Sequence, residues 1–212
     1  MTEIPSEMEP AIAPDDEALA QLELRVSESP DSANAHYNLG LALAKRGEWN
    51  RGVKEFRTAL SFKPGMLEAR INIAGILLQQ GDYDGCINES LKALEFRPDL
   101  VEGCVNIGVA FMHKGMLEQA VESLYKALAI DPNSLPAHVN LGNAYLTMGD
   151  LDKSLEHNSR AVELRPDFAM AHNNLAVVYF HKGDREKAKH HAHEALRLGY
   201  GVHPDFLKQI GG

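Results

Sequence analysis

Five prolines stand 34 residues apart: Pro30, Pro64, Pro98, Pro132 and Pro166. Five glycines keep the same step, Gly47, Gly81, Gly115, Gly149 and Gly183, and so do five asparagines, Asn38, Asn72, Asn106, Asn140 and Asn174. Three independent series in one register exclude an irregular globular topology. A fixed period of this length is the mark of stacked repeats. Each repeat is one supersecondary unit that buries its apolar face against its neighbours.

Counted from Ala33, the repeats cover residues 33–66, 67–100, 101–134, 135–168 and 169–202. The seventh position is apolar throughout (Leu39, Ile73, Ile107, Leu141, Leu175), and the eighth is small (Gly40, Ala74, Gly108, Gly142, Ala176). The eleventh is large and apolar, the twentieth is small, and the twenty-seventh is alanine every time: Ala59, Ala93, Ala127, Ala161 and Ala195. Steps of three and four in each half predict two amphipathic helices per repeat. The glycine between them suits a left-handed helix end. Glu48, Asp82, Asp150 and Asp184 follow that glycine in four repeats and favour the start of the second helix. The proline stops that helix and sets the turn.

These residues resemble the tetratricopeptide repeat, whose pattern is Trp-x2-Leu-Gly-x2-Tyr, then Ala-x3-Phe, Ala and Pro. The first repeat matches as Leu39-Gly40, Phe56, Ala59 and Pro64, and the fourth as Leu141-Gly142, Tyr145, Ala161 and Pro166. Two features depart from the pattern. His36, Arg70, Cys104, His138 and His172 replace the tryptophan, the three histidines being taken as partly buried spacers, and Tyr200 stands where the fifth proline would fall. The resemblance implies an all-α fold, a right-handed α-solenoid of five helix-turn-helix repeats. Residues 15–32 are expected to form an N-terminal capping helix, with Ala18 and Leu22 packing. Residues 203–212 are expected to form a short C-terminal cap through Phe206, Leu207 and Ile210. Residues 1–14 hold three prolines and no apolar period and are expected to be a disordered acidic tail.

Residues 1–32 carry nine acidic side chains against one arginine, net −8, and the remaining residues 21 against 20, net −1. A nearly neutral body with an acidic entrance lacks the basic footprint of a nucleic-acid binder. No stretch is long and apolar enough for membrane insertion, and the start lacks the basic and apolar regions of a signal peptide, so a cytoplasmic protein is expected. Cys86 and Cys104 show no CxxC spacing and read as buried reduced thiols.

In the repeats this chain resembles, first helices line a concave groove. Carried over, the groove residues are Asn38, Asn72, Asn106, Asn140 and Asn174, with Tyr37, Leu41, Ile71, Val105, Val109, Met112, Val139, Asn143, Asn173, Val177 and Phe180. Asparagine is a poor helix-interior residue, so five in register need a reason. An amide offers a donor and an acceptor together, as a peptide backbone does. The Asn-Leu-Gly triplet is similar to the asparagine ladder in the tetratricopeptide superhelix of O-GlcNAc transferase, without that enzyme's catalytic domain. A carboxylate clamp of the chaperone-binding type is broken, because Tyr37, Leu41 and Glu102 stand at its positions.

The resemblance therefore implies a non-enzymatic adaptor holding a protein or peptide segment. The alternative is a structural subunit that self-assembles through its ends, with Phe206, Leu207 and Ile210 as the adhesive edge. His190, His191 and His193 cluster, and His113 and His181 share a groove-edge position, but no HExxH, phosphate loop, nucleophile motif or Rossmann fingerprint is present. No metal or cofactor is expected.

Overall fold

The computed structural model describes residues 16–211, and among them the chain is all helix. Helix α1 spans Asp16–Glu28. Five helix pairs follow: α2 (Ala33–Lys45) with α3 (Trp49–Phe62), α4 (Leu67–Gln79) with α5 (Tyr83–Phe96), α6 (Val101–His113) with α7 (Leu117–Ile130), α8 (Leu135–Met148) with α9 (Leu151–Leu164), and α10 (Ala169–His181) with α11 (Arg185–Arg197). A short α12 (Pro204–Ile210) ends the order. Both members of each pair start 34 residues after their counterparts in the pair before. The acidic tail expected over residues 1–14 lies outside the described residues.

The punctuation follows from backbone sterics. Gly47, Gly81, Gly115, Gly149 and Gly183 sit at φ of 76°, 80°, 73°, 81° and 82°, a region where a Cβ costs about 1–2 kcal/mol. Asp82, Asp150 and Asp184 cap the next helix by accepting from the backbone N–H three residues on. Glu48 has no such bond and reaches Arg46 and Arg51 instead. At the other end, Lys63, Arg97, Asp131 and Arg165 leave the helical region, because each precedes a proline whose ring disfavours it. The fifth repeat, lacking that proline, ends on Gly199 at φ 86°.

The helices of a pair cross at positions eight and twenty-four, and the two sizes compensate. Glycine stands opposite a large side chain: Gly40 with Phe56, Gly108 with Leu124, Gly142 with Asn158. A Cβ would lie 2.8 Å from the facing side chain in the first pair, 2.7 Å in the second and closer still in the third. Where position eight is alanine, position twenty-four is small: Ala74 with Ser90, Ala176 with Ala192, all fully buried.

The chain divides into two compact bodies, Met1–Pro98 and Asp99–Gly212. In the first, α1 packs on α2, with Leu19 buried among Leu39, Ala42 and Leu43 and with Leu22 and Val26 beside them. Two of its carboxylates are paired, Asp16 with Arg46 and Glu23 with Arg51, both at 2.7 Å. In the second, α6, α8 and α10 lie side by side and α7, α9 and α11 back them. Ile210 of α12 is buried against Ala188, Ala192, Ala195 and Val202, with Phe206 and Leu207 partly covered there. Ile210 is thus taken up by the cap contact, while Phe206 and Leu207 keep part of their apolar surface exposed. Cys86 and Cys104 are buried, and neither forms a disulfide among the described residues. Burial pushes the Cys86 thiol up to about 11 and raises that of Cys104.

Candidate peptide-binding face

The asparagine series does not form a uniform row of open amides. Asn38 is exposed and Asn72 is half-buried, donating to the Tyr37 hydroxyl at 3.3 Å. Asn106 is half-buried and engaged within the protein. Asn140 is buried and donates to the Pro136 carbonyl of its own helix at 2.8 Å. Asn174 is buried and donates to Oδ1 of Asn158, whose own amide nitrogen bonds the Ser154 carbonyl and hydroxyl. At the C-terminal end of the series, the asparagine therefore joins a first helix to neighbouring groups. An amide donates twice, so one internal bond uses half of its donor capacity.

Two other amides are open. Asn143 on α8 and Asn173 on α10 are half-buried, and neither side chain hydrogen-bonds among the described residues. On the first helices α6, α8 and α10, Val105, Met112, Leu146, Val177 and Phe180 are half-buried, while Val109 and Val139 are buried and present little area. Phe180 is braced edge-on by Phe206 at 5.5 Å. In the first body, Tyr37, Leu41 and Ile71 are half-buried, and Tyr37 leans on Phe56 at 5.6 Å. His113 and His181 are exposed.

Position four does more than space the helices. His36, Arg70, His138 and His172 each donate to the carbonyl of the proline six residues earlier, at 3.0, 3.1, 3.0 and 2.9 Å. Each also meets the side chain nineteen residues later, on the second helix: His36 with Glu55 at 2.6 Å, Arg70 with Glu89 at 3.3 Å, His138 with His157 at 3.1 Å and His172 with His191 at 3.0 Å. One side chain thus ties turn, first helix and second helix together. Cys104 breaks the series, and Ser123, at the partner position, bonds its own helix instead. The sequence carried a signal for these bridges, a polar residue recurring at i and i+19, hidden because position four belongs to an apolar tryptophan in the family pattern.

Burial and the facing His138 lower the affinity of His157 for a proton, and burial with His172 and His190 pushes His191 down to about 4. His190 and His193 stay exposed on α11, and no group of three metal-capable side chains converges among the described residues.

Family models place this architecture. Those described as tetratricopeptide repeat match residues 16–66, 67–100, 136–168 and 169–200, and one described as TPR repeat matches residues 108–149. The chain belongs to the tetratricopeptide repeat family. Comparison with curated proteins gave no match. Among solved structures, the chain is similar to YrrB, described as a TPR protein with an unusual peptide-binding site, at 21% identity and TM-score 0.63, covering 86% of this chain and 94% of that one. It is similar to TTC0263, a thermophilic TPR protein of Thermus thermophilus, at 23% identity and TM-score 0.68, covering 84% and 97%. It is also similar to pilF of Pseudomonas aeruginosa at 19% identity and TM-score 0.74, covering 86% and 83%. At these identities the likeness concerns the fold. The tetratricopeptide fold is in general a protein–protein interaction scaffold, and no helix of this chain among the described residues is long and apolar enough to cross a membrane.

Proposed function

We propose that this tetratricopeptide protein is a non-enzymatic adaptor that holds an extended polypeptide segment with hydrophobic anchors on the first-helix face of its second body. The observation that carries this reading is the pair of open amides, Asn143 on α8 and Asn173 on α10, on a row of adjacent first helices that also bears the half-buried Val105, Met112, Leu146, Val177 and Phe180. Each amide pairs with one backbone group of an extended chain without reading its side chains, and the apolar flanks select what lies between. The peptide-binding site attributed to YrrB supports the same kind of ligand. An amide bond contributes about 0.5–1.5 kcal/mol net, so two amides tune affinity rather than create it, and most of the binding energy comes from the anchors. The internal bonds of Asn72, Asn140 and Asn174 give those residues a positioning part in this reading.

The test is a displayed library of random peptides selected on the wild-type protein. The selected peptides are then titrated against Asn143→Ala/Asn173→Ala, with circular dichroism to show that the variant stays folded. Affinity should fall about tenfold or more. Unchanged affinity would move the interface to another face and overturn the site.

A further inference from the structure

The two histidine bridges of the second body have a geometry that fixes where every proton sits. A carbonyl only accepts, so Nε2 of His138 carries a proton and donates to Pro132. In the neutral ring, Nδ1 of His138 is then an acceptor, and Nδ1–H of His157 must donate to it across 3.1 Å. That leaves Nε2 of His157 unprotonated, and it accepts the Tyr125 hydroxyl at 3.2 Å, which in turn accepts the Tyr145 hydroxyl at 3.3 Å. Every link of this chain is satisfied with both rings neutral. The second bridge repeats it: Nε2–H of His172 donates to Pro166 at 2.9 Å, and Nδ1–H of His191 donates to Nδ1 of His172 at 3.0 Å. Tyr145 stacks on His157 at 5.8 Å and Tyr179 on His191 at 5.5 Å, within 3° and 5° of parallel, so neither ring can turn aside without losing its stack.

We propose that these bridges are acid-releasable latches: neutral histidine pairs hold α8 to α9 and α10 to α11, and proton uptake opens the second body ahead of the first. A first proton can be absorbed by reversing the chain, but a second places two N–H groups nose to nose at about 3 Å. The open state accepts both protons of each pair. The groups facing the pairs do not remove this constraint. Around the first are Tyr125 on α7, Tyr145 on α8, and Lys153 and Glu156 on α9, with Arg160 and Glu163 lining the adjoining cleft of about 430 Å³. Lys153 opposes an added charge and Glu156 favours it. Around the second are Tyr179 on α10 and Lys187, His190 and Glu194 on α11. Glu194 favours a charge, but its carboxylate is held by Arg197 at 2.8 Å.

The first body supplies the contrast. Both nitrogens of His36 face acceptors, the Pro30 carbonyl and the Glu55 carboxylate, so a second ring proton strengthens that bridge. Arg70 with Glu89 holds no histidine, and its guanidinium keeps its charge throughout.

The sign follows from linkage. His157 and His191 have folded affinities for protons below the unfolded value near 6.5, so the open state binds more protons as pH falls. The stability is fully present above about pH 6.5 and is lost progressively toward about 4, where His191 titrates. With one excess proton per latch, the opening equilibrium rises about tenfold per pH unit for one latch and about a hundredfold for both.

The test is hydrogen exchange by mass spectrometry on the full chain from pH 7.5 to 4.5, corrected for intrinsic rates, with histidine ¹⁵N spectra on the same samples. Protection in α8–α11 should fall by ten- to a hundredfold per pH unit below about 6, while α2–α5 lag behind. His157→Glu/His191→Glu rebuilds the first body's bridge and should move that loss at least one pH unit lower. If the double variant fails to fold, the wild-type titration decides alone. Four rings titrating near 6.5 with protection in α8–α11 unchanged, or a loss that begins in α2–α5, would overturn the proposal.

Discussion

The two bodies solve one structural problem with different chemistry. In each, position four must reach the proline turn behind it and the second helix beside it. The first body uses His36–Glu55 and Arg70–Glu89, both charge-assisted, and the second uses His138–His157 and His172–His191, both neutral. The backbone positions are the same, so the repeat fixes where a polar bridge is needed and leaves its chemistry free. What differs is the response to acid, which sets two N–H groups against each other in a histidine pair and does not do so in a histidine–carboxylate bridge.

The size compensation at the helix crossing gives the largest expected effect. Phe56 is fully buried beneath Gly40, and Ser90 holds its place in the next repeat, where position eight is Ala74. Phe56→Ala should destabilise the first body by about 3–5 kcal/mol, read as a lower urea midpoint. The comparison sharpens with Gly40→Ala/Phe56→Ser, which copies the Ala74/Ser90 pair. The double variant should be less destabilised than the sum of the two single changes by about 0.5–3 kcal/mol. Strict additivity would mean that the two positions do not pack as one unit.

Gly142→Ala asks the same of the second body. Its methyl would meet the buried Asn158 amide, which is bonded to Ser154 and Asn174 and cannot swing away without breaking those bonds. A loss of about 1–3 kcal/mol is expected in urea denaturation, and no loss would show that the crossing is loosely packed.

Much of this was legible in the chain, and the illegible parts share a cause. The period, the helix pairs, the glycine turns and the aspartate caps are local, and each is written in adjacent residues such as Gly149-Asp150. The bridges and the compensating sizes join residues 19 and 16 apart, as in His138 with His157 and Gly142 with Asn158. Their signal is correlated variation between two positions rather than a fixed residue at one. The asparagine series shows the opposite limit: a perfect register at position six, yet Asn140 bonds its own helix and Asn174 a neighbouring one. Register reports a shared backbone environment and does not say what the side chain meets.

The caps separate individual repeats more gently. Asp150 accepts from the Lys153 N–H at 3.1 Å, and that bond and the Lys153 ammonium hold its carboxyl below the usual range. Asp150→Ala should cost about 1 kcal/mol in a thermal melt. Glu48, its counterpart in the first repeat, makes no cap bond, and its contacts with Arg46 and Arg51 lie at the surface. Glu48→Ala should change stability by about 0–1 kcal/mol. Equal losses at the two positions would show that helix-dipole charge, rather than the cap bond, is what the acidic residue supplies.

The smallest effect has the opposite sign. Gly75 lies inside α4, next to Ala74 of the crossing, with none of the neighbouring atoms within 4 Å of where a Cβ would go. Gly40, in the equivalent helix of the preceding repeat, would drive a Cβ into Phe56 at 2.8 Å. A glycine in a helix interior costs up to about 1 kcal/mol relative to alanine, because the unfolded chain has more freedom to lose. Gly75→Ala should therefore raise the urea midpoint with an unchanged slope, by up to about 1 kcal/mol, while Gly40→Ala lowers it. Position nine of the repeat also carries Leu41, Val109, Asn143 and Val177. If Gly75→Ala stabilises the fold, the space beside it is open to solvent. If it destabilises the fold, a neighbouring group reaches that space, and the first helices of the first body present a more closed face than those bearing Asn143 and Asn173.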